Sequence, residues 1–365
     1  MELPKHIPQL DVLRGIAVLT VMGYHGLYLI PHLHLNLVLG TGYLGVDLFF
    51  VLSGFLITGI LVRTKDSPNY FRNFYARRAL RIWPVYYVLL LFTFIALPLI
   101  HPQSAADIFA KSHPWESYPL FLQNFAVNGN SFGTLTATWS LAIEEQFYLV
   151  WPLIIFLAPP RLLKPIAIGA LLLSVATRWS VQYGLIPSII IYTNTLTRLD
   201  GLALGALLAL WIPQARKTTV RLVATIGLLL TTPIALALGY LHPGHWSFFA
   251  VVSACFACLL LLAIQINALS KLRFLRYTGK ISYCLYLTHV PVFMLAETSA
   301  VRMLVPFRSG ATGDAVLFLA SILVCYGIAA VSWTFFESKF LRLKDRFNYT
   351  ASFSSATQSD RILVS

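Results

Sequence analysis

The amino-acid sequence predicts an all-α integral membrane protein with about ten transmembrane helices in a single bundle. Of its 365 residues, 58% are hydrophobic and only 11% are charged, whereas soluble domains are about 25% charged. Apolar runs of roughly 20 residues, the length needed to cross a hydrocarbon core, recur along the whole chain. The lysines and arginines are distributed unequally between the two sets of loops, as in membrane proteins of defined orientation.

Hydropathy and helical periodicity divide the chain into one membrane domain, residues 1–343, and a polar tail, residues 344–365. The predicted spans are residues 12–31, 43–63, 83–101, 138–158, 164–184, 196–213, 219–241, 246–266, 280–304 and 313–336. The aromatic loop 102–137 is expected to lie at the membrane interface. The tail is rich in Ser and Thr, and we expect it to be cytoplasmic and disordered.

The formal net charge of +13 suggests either a nucleic-acid partner or a membrane orientation. If the N-terminus is cytoplasmic and the number of spans is even, all but five of the 27 lysines and arginines fall on the cytoplasmic side or at its boundary. The five exceptions are Lys111, Arg178, Arg198, Arg302 and Arg308. This asymmetry follows the positive-inside rule, so we expect both termini to be cytoplasmic and no nucleic acid to be bound.

Three ionisable residues share one face of the first predicted span. Asp11, Arg14 and His25 are separated by 3 and 11 residues, and 11 residues are close to three helical turns. The helical rise places His25 roughly 16 Å deeper than Arg14. Ionisable residues inside spans are costly and often functional. We therefore expect Arg14 to bind the phosphate groups of a donor substrate and His25 to accept the proton of a hydroxyl group. A structural His25 held by a hydrogen bond would fit the same spacing.

The second predicted span places Asp47, Gly54 and Thr58 on one helical face. Helix packing explains the glycine, because a small residue allows close backbone approach, but it does not explain a carboxylate inside an apolar helix. A carboxylate beside His25 would fix the tautomer of the imidazole. Asp47 is therefore a candidate catalytic residue, on the hypothesis that it contacts His25.

Later spans contain further ionisable residues whose roles the sequence leaves open. Glu144 and Glu145 point about 100° apart on a helix, so at least one should face inward. Two roles fit either carboxylate, catalysis or an ion pair with Arg198, which with Asp200 opens the sixth span. His289 lies inside the ninth span and is either structural or part of a substrate site.

Two histidine clusters lie at the non-cytoplasmic ends of spans, and each was considered as a metal site. They are His32 with His34, and His242 with His245. Neither cluster has a carboxylate or cysteine at ligand spacing, so we expect no metal and no permanently bound cofactor.

The ordered set of motifs resembles the acyltransferase-3 family of bacterial membrane acyltransferases over about residues 8–340. The matching segments are Leu10–Gly15, the Arg14/His25 pair, Gly45–Ile57, Arg77–Pro84, Trp139–Tyr148, Arg198–Gly201, Gly279–Tyr283 and Tyr286–His289. Each motif alone is weak, whereas their order on successive spans is specific.

The resemblance implies a ten-helix domain in the bacterial inner membrane that takes acetyl or another short acyl group from acyl-CoA. The acceptor would be a hydroxyl of a glycan, a lipid-linked saccharide or a sugar-like small molecule. By this likeness Arg14 and His25 are the central pair, and Arg78 and Arg81 lie near the donor phosphates. Asp11, Arg198, Asp200 and His289 are the expected substrate-binding residues. We expect the chain to act alone, as a homo-oligomer, or with a separate envelope partner.

Two mechanisms and two other functional classes remain open at this point. His25 acts either as a general base or as a transient acyl carrier, and the second route predicts ping-pong kinetics. A glycolipid transporter or flippase would also place charges and glycines inside the membrane, but the sequence has no visible inverted repeat. A non-catalytic scaffold would not need so many buried ionisable residues.

Overall fold

The computed structural model describes residues 7–100, 109, 114–125, 133–186, 191–242, 244–298, 301 and 310–349. These residues form helices and connecting turns, and they include no β-strand. Ten helices within this described part have 16 residues or more. They are Pro8–His25 (α1), Gly45–Thr64 (α2), Tyr70–Leu91 (α3), Thr138–Leu157 (α4), Pro160–Gln182 (α5), Thr195–Trp211 (α6), Lys217–Leu241 (α7), Phe248–Ala263 (α8), Arg273–Glu297 (α9) and Ala311–Ser332 (α10).

The structure confirms an all-α membrane protein, but it does not confirm the count of ten spans. Among the described residues, 7 helical segments are long and apolar enough to cross a membrane. They are Gly42–Thr64, Tyr70–Ile100, Thr138–Leu157, Pro160–Gln182, Thr195–Gln214, Lys217–Leu241 and Ala311–Arg346. Helices α1, α8 and α9 lie at the other three predicted spans. Helix α8 is shorter, α1 contains Asp11 and Arg14, and α9 contains four charged residues. The number ten therefore stays a prediction.

Helix α1 ends at His25, six residues earlier than the predicted end of the first span. Gly26 caps it by donating its amide to the carbonyl of Met22, and two short 3-10 turns follow. Pro31 explains why the helix does not continue to the predicted end, because proline has no amide proton to donate and disfavours helical geometry at the preceding residue. Ile30 accordingly has a φ of −126°. His25 thus lies at the end of a helix instead of in its middle.

Two close helix pairs form the centre of the bundle, α1 with α9 and α2 with α6. Gly279 on α9 lies against the backbone carbonyl of Asp11, and Gly54 on α2 lies against that of Leu202. A Cβ atom at either glycine would overlap that carbonyl oxygen, so only glycine allows this approach. The first pair brings the charged residues of α1 and α9 together.

Part of the predicted interfacial loop packs into the bundle. Tyr118 and Phe121 are buried, and Tyr86 of α3 donates a hydrogen bond to the carbonyl of Tyr118 at 2.8 Å. The ring of Phe121 stacks on Tyr86 at 4.5 Å. Trp115 and Phe125 remain exposed. This segment therefore covers α3 and α4 with half of its aromatic rings turned inward; residues 101–108, 110–113 and 126–132 lie outside the described residues.

The first residues of the predicted tail pack against α3. Arg77 donates hydrogen bonds to the carbonyls of Lys344 and Phe347 at 3.1 and 3.3 Å. Asn73 donates to the carbonyl of Asn348 at 3.0 Å. An ordered segment therefore continues to residue 349, whereas residues 350–365 lie outside the described residues, as do the predicted non-cytoplasmic cations Lys111, Arg302 and Arg308.

Candidate active site

Two histidines from distant helices meet at the end of α1. Nδ1 of His25 lies 2.9 Å from Nε2 of His289, and Nδ1 of His289 lies 3.2 Å from the carbonyl oxygen of Leu285. A carbonyl oxygen only accepts, so Nδ1 of His289 is the donor and its Nε2 is an acceptor. Nδ1 of His25 therefore donates to His289. This hydrogen-bond chain leaves Nε2 of His25 with a free lone pair, which is what a general base or nucleophile requires.

The two histidines differ in exposure. His289 is fully buried, whereas His25 is half-buried. Because α1 is continuous from Pro8 to His25, the 11-residue separation places Arg14 roughly 16 Å away along the helix. The structure thus has a reachable imidazole at one end of α1 and a guanidinium group near the other end.

Asp47 does not contact His25, contrary to the sequence-based hypothesis. Its Oδ1 accepts a hydrogen bond from Nη2 of Arg198 at 2.8 Å, and both side chains are fully buried. The side chain that orients His25 is His289. The sequence does not show whether Asp47 or His289 lies beside His25, because helical periodicity within one span does not determine which other helix packs against it.

A second buried ion pair lies close to the first. Nη2 of Arg178 donates to Oδ2 of Asp200 at 2.9 Å, and Nε of Arg178 donates to the carbonyl of Trp246 at 2.8 Å. Arg198 additionally lies 3.9 Å from the ring centroid of Phe249. Arg198 and Asp200, predicted to bind substrate, are thus each bound to an oppositely charged side chain inside the protein.

Glu144 and Glu145 do not pair with Arg198, which was one of the alternatives. Glu144 accepts hydrogen bonds from Ser53 at 2.6 Å and from Tyr148 at 3.2 Å. Glu145 accepts one from the indole of Trp83 at 3.1 Å. As the sequence required, at least one carboxylate faces inward, since Glu144 lines a cavity.

This cavity, named the donor cavity after the role proposed for it below, is a space of about 780 Å³ between α1, α2, α3, α4 and α9 that is partly open to solvent. Arg14, Arg78 and Arg81 all line it. Nε of Arg78 is buried and has no hydrogen-bond partner among the described residues. Asp11 pairs with Arg14 at 3.1 Å on the same helix. The three guanidinium groups outnumber the one lining carboxylate, that of Glu144, so they form a suitable site for phosphate.

The donor cavity extends to the neighbourhood of the histidines. Tyr286 and Ser140 line it, and their hydroxyl oxygens are 2.6 Å apart. The ring of Tyr286 lies 5.8 Å from that of His289. Neither histidine is a lining residue. The Tyr286–Ser140 pair therefore separates the donor cavity from the imidazole groups.

Three tyrosines form a row that begins at His25. The ring of Tyr24 lies 5.3 Å from that of His25, Tyr43 lies 5.3 Å from Tyr24, and Tyr192 lies 6.0 Å from Tyr43. All three are at least partly exposed. They come from three separate segments and lie at the end of α1 opposite to Arg14. Tyrosines anchored in the interface would point outward to lipid, whereas these rings contact one another in a row whose first member, Tyr24, contacts His25.

The other histidines have different surroundings. Nδ1 and the backbone amide of His32 lie 2.9 and 3.0 Å from the carboxylate of Asp314, and Nδ1 of His245 lies 2.8 Å from the hydroxyl of Ser247. No group of three or more His, Cys, Asp or Glu residues in the described part of the chain has the arrangement of metal ligands.

The sequence does not reveal that His289 pairs with His25, or that Ser53, Tyr148 and Tyr286 line the donor cavity. One local signal existed for part of this set, because Tyr286 and His289 are three residues apart and so share a helical face. No local signal existed for the contact between α1 and α9, which joins residues 264 positions apart.

Comparison with known proteins adds to this geometry. The model of the acyltransferase-3 family, described as an acyltransferase domain, matches residues 7–332. No solved structure matches the chain.

Three curated relatives are similar to the chain. The peptidoglycan O-acetyltransferase OatA of Listeria monocytogenes is 32% identical over 80% of this chain and 50% of its own length. The putative peptidoglycan O-acetyltransferase YrhL of Bacillus subtilis is 33% identical over 80% of this chain and 49% of its own length. The O-acetyltransferase OatA of Staphylococcus aureus is 30% identical over 93% of this chain and 58% of its own length. The chain thus spans about half the length of these relatives.

Proposed function

Because the chain belongs to the acyltransferase-3 family, we propose that it transfers an acetyl or other short acyl group from cytoplasmic acyl-CoA to a glycan hydroxyl on the opposite side of the membrane. The observation that supports this most is the donor cavity, which begins at three arginines and ends beside the His25–His289 pair. The bacterial inner membrane is the expected location.

The donor binds with its phosphates against Arg14, Arg78 and Arg81. Guanidinium groups bind phosphate through paired hydrogen bonds, and the unpartnered Nε of Arg78 is available for one of them. The pantetheine arm then extends along the cavity wall towards Tyr286. The thioester needs no charged partner, which suits the aliphatic and phenylalanine side chains that form part of this wall.

The acceptor approaches His25 from the side of Tyr24, Tyr43 and Tyr192. Tyrosine rings stack on the apolar faces of sugars while their hydroxyl groups bond to sugar hydroxyls. The names of two relatives specify peptidoglycan as their substrate, and we propose a glycan or lipid-linked saccharide of the cell envelope here.

In the transfer step, Nε2 of His25 takes the proton of the acceptor hydroxyl as its oxygen attacks the thioester carbonyl. The new C–O bond forms, the C–S bond breaks, and the proton passes from His25 to the departing thiolate. His289 keeps His25 in the productive tautomer through the Nδ1–H hydrogen bond. In the alternative route, Nε2 first attacks the thioester itself, and the acyl group then moves to the acceptor.

Labelled acetyl-CoA tests this proposal. We expect membranes containing the protein to transfer label into an extractable glycan or lipid-linked saccharide, and membranes without it to transfer none. Arg78→Ala should raise the KM for acetyl-CoA, since it removes one phosphate contact. If verified folded protein transfers no label from acetyl-CoA or from longer acyl-CoAs, the proposal is wrong and a glycolipid carrier becomes the better explanation.

A further inference from the structure

A second cavity adjoins the donor cavity on the Arg14 side of the bundle. It encloses about 990 Å³ and is lined by residues of α1, α3, α9 and the turn that follows α10. Arg14 and Arg81 line both cavities, so the two spaces meet at these arginines. Arg276, Tyr277, Lys280 and Trp333 belong to the second cavity alone.

The second cavity contains more positive than negative charge. Arg14, Arg81, Arg276 and Lys280 face one lining carboxylate, that of Asp11, which is paired with Arg14. Glu337, buried near Arg81, accepts a hydrogen bond from Ser332. Nη1 of Arg276 donates to the carbonyl of Ser270 at 3.1 Å, whereas Nε is buried with no partner among the described residues. This excess of cations favours an anionic ligand.

The same cavity has a flat aromatic side. Trp333 lies under the ammonium group of Lys280, 4.6 Å from the ring centroid. Tyr277 also lines the cavity, with 43% of its surface exposed. A purine nucleotide fits a site that has aromatic rings next to cations, because its base stacks on the rings and its phosphates bind the cations.

We propose that this second cavity binds the nucleotide end of acyl-CoA, an inference that rests on the proposed transfer function. The diphosphate lies at the junction formed by Arg14 and Arg81. The adenosine with its 3′-phosphate occupies the second cavity against Arg276 and Lys280, and the pantetheine arm enters the donor cavity. A lipid phosphate would satisfy the same cations, but the continuity of the two cavities favours one long ligand.

The motif Gly279–Tyr283 gains an explanation from this arrangement. Gly279 lets α9 approach the carbonyl of Asp11, and this approach places Lys280 and Arg276 beside Arg14. The small residue and the neighbouring cation therefore form one unit, in which the glycine sets the distance and the lysine contacts the ligand.

Binding of CoA and of pantetheine, which lacks the nucleotide, tests the inference without requiring turnover. The measurement is calorimetry on purified protein in nanodiscs of neutral lipid. We expect Lys280→Ala and Arg276→Lys to weaken CoA binding roughly tenfold, since each loses a charge-assisted contact. Pantetheine binding should not change. Lys271→Ala and Arg273→Ala are matched controls, because both cations are exposed and line neither cavity.

Three outcomes would overturn the inference. The first is unchanged CoA binding in both variants. The second is an equal loss of CoA and pantetheine binding, which would indicate a general structural effect. The third is that the variants lose bound phosphatidylglycerol during purification while CoA affinity stays the same, which would assign the cavity to a lipid headgroup. Wild-type protein that binds CoA but transfers no acyl group would instead contradict the proposed function and leave this inference standing.

Discussion

The bundle contains two groups of ionisable residues that look alike in the sequence and differ in the structure. In one group, the buried arginines Arg178 and Arg198 are bound to Asp200 and Asp47. In the other, Arg14, Arg78 and Arg81 line an open cavity that extends towards His25 and His289. The first group is neutralised within the protein, whereas the second has cations in excess.

We infer that the first group stabilises the fold and that the second group binds a ligand. A buried charge needs a partner, and the ion pairs between α2 and α6 and between α5 and α6 supply it from the protein. Cations that line a cavity without enough carboxylates require an anion from outside. Variants of both groups test whether they divide in this way, beginning with the variant that should change activity most.

Replacement of His25 should have the largest effect on activity. His25→Asn removes the free lone pair of Nε2, so we expect acyl transfer to fall by about 10²–10⁴-fold with little change in thermal stability. His34→Asn is the control, because His34 is exposed and has positive φ, which asparagine tolerates. Kinetics of acetyl-CoA consumption measure the effect; near-normal transfer by His25→Asn would remove this residue from the chemistry.

Replacement of one member of the Arg198–Asp47 pair should affect stability more than chemistry. Asp47→Leu leaves Arg198 buried without its partner, which costs on the order of 3–5 kcal/mol. Replacing both residues by leucine removes the uncompensated charge, so the double variant should be more stable than Asp47→Leu. Denaturant unfolding in detergent measures the difference. A stable Asp47→Leu protein with no transferase activity would instead restore the catalytic role expected from the sequence.

Replacement of His289 should have a smaller effect, because this residue positions His25 and does not contact the acceptor. We expect His289→Leu to lower kcat about tenfold, the value of one lost hydrogen bond to a group that becomes charged. His289→Gln should recover part of the rate, since its amide oxygen can accept from His25. Equal losses in both variants, with normal unfolding, would show that His289 takes part in the reaction by another route.

The sequence predicted the fold class and the Arg14/His25 face well, because both depend on properties within one helix. Apolar length defines a span, and the 3.6-residue period defines a face. The partners of His25 and Asp47 depend instead on which helices pack together, and neither property determines this. The end of α1 was misplaced because hydropathy continues past Gly26 to Pro31, although the proline prevents the helix from reaching it.

Donor and acceptor are proposed to meet His25 from opposite sides of the membrane. Proteoliposomes with the protein in one orientation, soluble peptidoglycan fragments inside and labelled acetyl-CoA outside, separate the two sides. With the Arg14 side facing outward, we expect acetylated fragments inside the vesicles. When acetyl-CoA and fragments are both supplied only on the side of the tyrosine row, we expect no acetylated fragments. Equal transfer of label in that second arrangement would show that both substrates reach His25 from the same side.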